Sequence, residues 1–134
     1  MSTHNAITLQ EVFDNALFGA RRQGYVPSRQ ENGGCMYRDP SGLRCGIGFS
    51  IPDELYEPVM DANGGRTVRA LTDPHLNFFP SLVAFFSRCK PCALADIQNA
   101  HDDLVYAGSN GDGFERDMQC IAQKYKLTFT EVAP

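Results

Sequence analysis

Apolar residues recur every three and four positions near the start of the chain: Leu9, Val12, Phe13, Ala16, Leu17 and Ala20 fall on one face of a helix. Thr8 stands where an N-cap belongs, Glu11 three residues on can reach back to its amide, and Ile7 with Val12 can close a hydrophobic staple. Arg21, Arg22 and Gly24 supply a basic last turn and a stop. From Tyr25 to Gly34 neither helical nor strand periodicity persists, and Pro27, Ser28, Asn32, Gly33 and Gly34 predict a loop.

A period of two takes over at Cys35. Asp39-Pro40-Ser41-Gly42 has the residues of a type I turn, with Pro at its second place and Gly where a positive φ is needed. Placing Gly42 at the left-handed position of a three-residue loop sets Arg38 opposite Arg44, Tyr37 opposite Cys45 and Cys35 opposite Ile47. Cys35, Tyr37, Leu43, Cys45 and Ile47 then share an apolar side, while Met36, Arg38 and Arg44 project from the other; a slip of one residue mixes the two. The pattern predicts a β-hairpin over residues 35–47.

Ser50-Ile51-Pro52-Asp53-Glu54 reads as the start of a short helix that Pro58 interrupts, and residues 61–65 as a turn-rich connector. Residues 67–71 fit strand or helix equally. Pro80-Ser81 opens a compact apolar helix through Leu82, Val83, Phe85 and Phe86, ended by Pro91. The next helix carries Leu94, Ile97, His101, Leu104 and Val105 on one side and stops at Gly108-Ser109-Asn110-Gly111. Asp112 with Glu115 suggests a second capping box, Phe114, Met118, Ile121, Ala122 and Tyr125 form the last stripe, and residues 127–132 suit a final strand. The expected architecture is α+β: a mainly helical single domain over residues 1–134, with one β-hairpin packed on helices. A chain of 134 residues with 43% hydrophobic and 21% charged positions suits one core and excludes a disordered tail or rod.

Composition narrows the function classes. The longest apolar stretch, residues 78–86, is far shorter than a membrane span requires, and the first residues lack a secretory pattern, so a cytosolic protein with reduced thiols is expected. A net charge of −4 disfavours nucleic acid as a partner. No cofactor fingerprint is present; Asn63-Gly64-Gly65 and the glycines near 111 match neither a phosphate loop nor a calcium loop.

Three constellations remain as candidate chemistry. Cys89-Lys90-Pro91-Cys92 is a CxxC, and Cys35 with Cys45 would complete four thiolates for zinc; the alternative is that the cysteines are small buried hydrophobes. Cys35 or Cys45 with His101 and Asp102 has the residue types of a nucleophilic set, although His101 on an apolar stripe also reads as a core histidine. Arg38, Arg44 and Tyr37, with Arg66 and Arg69 in a later connector, could cradle a carboxylate or phosphate, against the ordinary alternative of a solvated face.

Cys35-x-Tyr37-Arg38-x-Pro40-x-Gly42-x-x-Cys45-x-x-Gly48-x-x-Ile51-Pro52-Asp53-Glu54-x-Tyr56, followed by Ile97-Gln98-x-Ala100-His101-Asp102, resembles a group of small uncharacterised proteins from bacteria and their phages. The resemblance implies a small accessory protein of a phage, prophage or bacterial genome, acting in the cytoplasm. The expected function is therefore binding of a host protein so as to modulate or inhibit it, with no cofactor and no membrane or nucleic-acid partner. A small cysteine-dependent enzyme or zinc module is the alternative, and a binder of small anions a second one.

Overall fold

The computed structural model describes residues 5–26, 36–64, 68–102 and 111–131. Within them lie the helices α1 (Leu9–Arg22), α2 (Val68–Thr72), α3 (Pro80–Phe85), α4 (Pro91–Asp102) and α5 (Asp112–Tyr125), with 3-10 turns at Gly48–Ser50 and Pro58–Gly64. At the start of α1, Thr8 Oγ1 accepts from Glu11 N at 3.1 Å and Glu11 Oε1 accepts from Thr8 N at 3.1 Å. Two first-turn amides are thereby satisfied reciprocally. Val12, Phe13, Ala16, Leu17 and Ala20 are buried, as a helix with a single apolar stripe requires.

Helix α4 is the hub. It packs against α1, α2 and α5, and buries Ala93, Leu94, Ile97, Ala100 and His101. Phe114, Met118, Ile121 and Ala122 of α5 close one side of it. Helix α3 opens on Pro80, whose missing amide costs nothing at that position, and turns Leu82 and Phe85 inward. Ile7 N donates to Phe85 O at 2.9 Å, tying the segment before α1 to the end of α3. Among the described residues no helix is long and apolar enough to cross a membrane.

The expected α+β architecture is corrected here: the described residues contain helices and no strand, and the hairpin expected over 35–47 contracts to one antiparallel bridge between Arg38 and Arg44. The chain does reverse. Asp39 Oδ1 accepts from Ser41 N at 2.9 Å and Leu43 N at 3.0 Å, Gly42 N donates to Asp39 O at 3.0 Å, and Gly42 takes φ +92°. What is missing is the ladder beyond the turn: with Asp39 N bonded to Leu43 O, the next rung needs Tyr37 N and Cys45 O, and both are taken by groups outside the pair. Asp61 accepts from Tyr37 N at 2.7 Å and Arg38 N at 3.2 Å. On the outer edge, facing away from residue 38, Gln23 takes both groups of Arg44, accepting from its N at 3.0 Å and donating to its O at 3.0 Å. Gln98 Oε1 accepts from Ile47 N at 3.0 Å, and from Cys45 onward the chain coils, with Phe49 N donating to Cys45 O at 3.1 Å.

The segment expected as a final strand meets the same fate. Residues 127–131 are irregular, and Gln10 clamps Thr128 as Gln23 clamps Arg44, donating to its O at 3.0 Å and accepting from its N at 2.8 Å. The capping box at Asp112 and Glu115 does not form either: Gly111, at φ +85°, is the N-cap, and Glu115 is engaged by Arg21 and Tyr25. Residues 53–55 form a turn in place of the short helix, and the segment from Val68 is helical. Cys35, Arg66, most of the segment expected as a loop after Tyr25, and Leu104 and Val105, expected on the helix of His101, lie outside the described residues.

Gly48 marks the closest backbone approach. A Cβ there would overlap the carbonyl oxygen of Tyr37, so the first 3-10 turn can lie against residue 37 only without a side chain. That contact fixes the level at which the next residue, Arg38, leaves the core.

Candidate functional site

The reversal at 39–42 and the bridge beside it bring Arg38 and Arg44 to one surface. The Arg38 guanidinium lies 4.5 Å from the centre of the Tyr56 ring, a cation–π stack, and its Nη2 donates to Ile51 O at 2.8 Å. The same nitrogen is 2.8 Å from Asp53 Oδ1, and Arg44 Nη2 is 3.6 Å from that oxygen. Asp53 thus sits between two guanidiniums, with its own side chain 76% exposed against 19% for Arg38 and 34% for Arg44. Arg38 Nε is buried with no hydrogen-bond acceptor.

Beneath this surface the site is rigid. Tyr56 Oη donates to Asp61 Oδ2 at 2.6 Å, so the buried Asp61 carboxylate holds both the ring under Arg38 and the backbone of 37 and 38. Burial, reinforced by Asp61, pushes the Tyr56 hydroxyl up to about 12. Tyr37, expected beside the two arginines, lies below them: it is buried, and burial raises its hydroxyl well above the usual tyrosine value. Of the three expected binding residues, two meet at the surface and the third belongs to the floor. With Asp61 beneath and Asp53 in place the two guanidiniums are balanced in charge, and only when the exposed Asp53 leaves does the surface gain room and charge for another oxyanion.

No family model, no curated protein and no solved structure matches this chain.

The other constellations separate. Cys45 is fully buried, and burial pushes its thiol up to about 12, so at neutral pH it is a thiol rather than a thiolate nucleophile. His101 is wedged edge-on between Phe49 and Phe114, each 6.0 Å from it between ring centres; burial alone lowers it to about 4, and its Nε2 has no hydrogen-bond partner. Asp102 accepts from Gln98 Nε2 at 3.0 Å. Cys89 is buried, pushed up to about 11 by burial, and points its Sγ at Ile7 O, 3.6 Å away, whereas Cys92 is exposed. Among the described residues no group of three or more His, Cys, Asp or Glu side chains is placed to hold a metal. Arg69 stands apart from the arginine pair; with the Tyr125 hydroxyl foremost and Lys124 next, it helps hold Asp96 below the usual carboxylate range.

Asp53, Tyr56 and Asp61 were not singled out by spacing or residue type, although Asp53 and Tyr56 stand in the same motif as Arg38. A second surface feature also escapes the sequence pattern. Between α2 and α3, Asp73 Oδ1 accepts from His75 N at 2.8 Å, Asp73 O accepts from Asn77 N at 2.9 Å, and Asn77 takes φ +50°. The loop so fixed leaves Leu76 48% and Phe78 49% exposed, while the neighbouring Phe79 is buried.

Proposed function

We propose that the chain is a small accessory protein, of the kind phages and prophages carry, that binds a host protein in the bacterial cytoplasm and modulates or inhibits it. The observation that supports a binding role is the loop of residues 73–79. Two large apolar side chains two positions apart stand half in water on a backbone held by Asp73 and Asn77. Burying what remains exposed of each is worth on the order of 1 kcal/mol, and a loop already shaped loses little freedom on docking. The genomic context in this reading rests on the resemblance of the segment from Cys35 to Tyr56.

The test compares capture from host lysate by the native protein and by a Leu76→Asp/Phe78→Asp variant, followed by binding of the purified partner to both. The variant should lose the partner while its circular dichroism and unfolding midpoint stay unchanged. Equal binding by the variant, or a self-association in sedimentation that the variant abolishes and no other partner, would overturn the reading.

A further inference from the structure

Arg21 and Arg38 use the same edge of the guanidinium, Nε with Nη2, and only Arg21 fills it: its Nε and Nη2 donate to the two oxygens of Glu115 at 3.0 and 2.6 Å. On Arg38 the Nη2 is shared between Ile51 O and one oxygen of Asp53, while Nε, buried beneath, has no acceptor. Asp53 is also the most exposed member of its group, and among the described residues its ion pairs are with those two arginines. An exposed ion pair of this kind holds its partner weakly, so an incoming carboxylate displaces it at a cost of tenfold or less in affinity, roughly.

We propose that Arg38 and Arg44 form a carboxylate-binding site whose resting occupant is the protein's own Asp53. An incoming carboxylate takes the place of Asp53 Oδ1 on Arg38 Nη2 and within reach of Arg44 Nη2, over the flank of the Tyr56 ring. Asp53 swings out into solvent on the turn of residues 53–55. The floor does not move, because Tyr56 and the backbone of residues 37 and 38 are held by Asp61. Asp53 lowers the affinity without closing the site: with it in place a carboxylate binds up to about tenfold more weakly, and a second anchoring contact offsets that loss. The site uses other residues than the 73–79 loop, so its test and the partner-capture test fail separately.

The probe is glutarate, titrated at constant ionic strength into nitrogen-15-labelled native protein and into Asp53→Ala, with the arginine Nε–Hε resonances as the readout. Removing Asp53 should tighten glutarate binding roughly threefold to tenfold. The Arg38 and Arg44 signals should move, and Arg44→Gln in the Asp53→Ala background should remove the gain. Asp53→Asn serves as a second variant that keeps the size of the side chain. A short peptide with adjacent glutamates, titrated in parallel, distinguishes the sources: tighter binding than glutarate points to an acidic segment of a protein, equal or weaker binding to a free acid, and both support the site. Equal glutarate affinity in the native protein and both Asp53 variants, shifts confined to other residues, or inorganic phosphate binding better than glutarate would overturn it.

Discussion

Arg21 and Arg38 both leave the core half-covered and both meet a carboxylate, but the two pairs are built differently. Arg21 and Glu115 are 94 positions apart in sequence, expose only 14% and 18% of their side chains, and are joined by two parallel bonds while Tyr25 Oη donates to the same carboxylate at 3.1 Å. Glu115 in turn raises Arg21 above its ordinary value. Arg38 and Asp53 are joined by one bond from the half-used edge, and the carboxylate is three quarters in water. The first pair clasps the end of α1 to the start of α5. The second is a rigid cation with a loosely held counter-charge. Exposure of the acid, rather than the arginine's own surroundings, separates a structural tie from a surface ion pair that can open.

The largest expected effect bears on the floor of the exposed pair. Gly48→Ala sets a methyl group against the Tyr37 carbonyl, backbone that cannot swing aside, and should cost about 3 kcal/mol or more in urea unfolding. A loss within about 1 kcal/mol would mean that residue 37 yields and that Arg38 stands on no fixed shelf.

Acid should act next, on the clasped side, where His101 packs on Phe114 beside Glu115. Its folded value of about 4 lies below the ordinary 6.5, so the unfolded chain takes up a proton that the folded one refuses. The contribution is complete above pH 6.5, drains as pH falls to 4, and is constant below; at about 1.4 kcal/mol per unit the drop is on the order of 3 kcal/mol. His101→Leu should remove this part of the pH dependence with little loss at pH 7, since Nε2 has no partner to forfeit. An unchanged pH profile in the variant would place the acid sensitivity elsewhere.

The comparison itself is sharpened by cutting each acid. Glu115→Gln leaves Arg21 half-buried without its counter-charge and should cost about 2 kcal/mol of stability. Asp53→Ala, measured by the same unfolding experiment, should change stability by less than about 1 kcal/mol, and by less still in high salt. Equal losses from the two would erase the distinction between clasp and surface.

What the sequence revealed depended on how local the deciding contact is. The start of α1 was legible because Thr8 and Glu11 satisfy each other within one turn, and the reversal at 39–42 because Asp39 and Gly42 carry it alone. The hairpin was misread because the side chains that undo it, Asp61 and Gln98, lie 24 and 51 positions from the amides they take, those of Tyr37 and Ile47. The second capping box failed for the same reason, Glu115 being drawn to Arg21. Within the arginine site the two cations were legible from the faces of the turn, whereas their shared acid, Asp53, looked like an ordinary first-turn carboxylate. Phe78 and Phe79 are adjacent and identical in type, and only the turn at Asn77 decides that one faces water and the other the core.

Gln10 of α1 and Gln23, the residue that caps its C-terminus, have a consequence for how the chain behaves toward its neighbours. Each occupies both hydrogen-bonding groups of a residue outside the helices, Arg44 and Thr128, with an amide that mimics a strand's backbone. At those two residues no free edge is left onto which another molecule's strand can add, which closes that route to aggregation there. The bent segment is also not a portable part: excised as a peptide or grafted onto another scaffold, it leaves its three amide and carboxylate anchors behind and loses its shape.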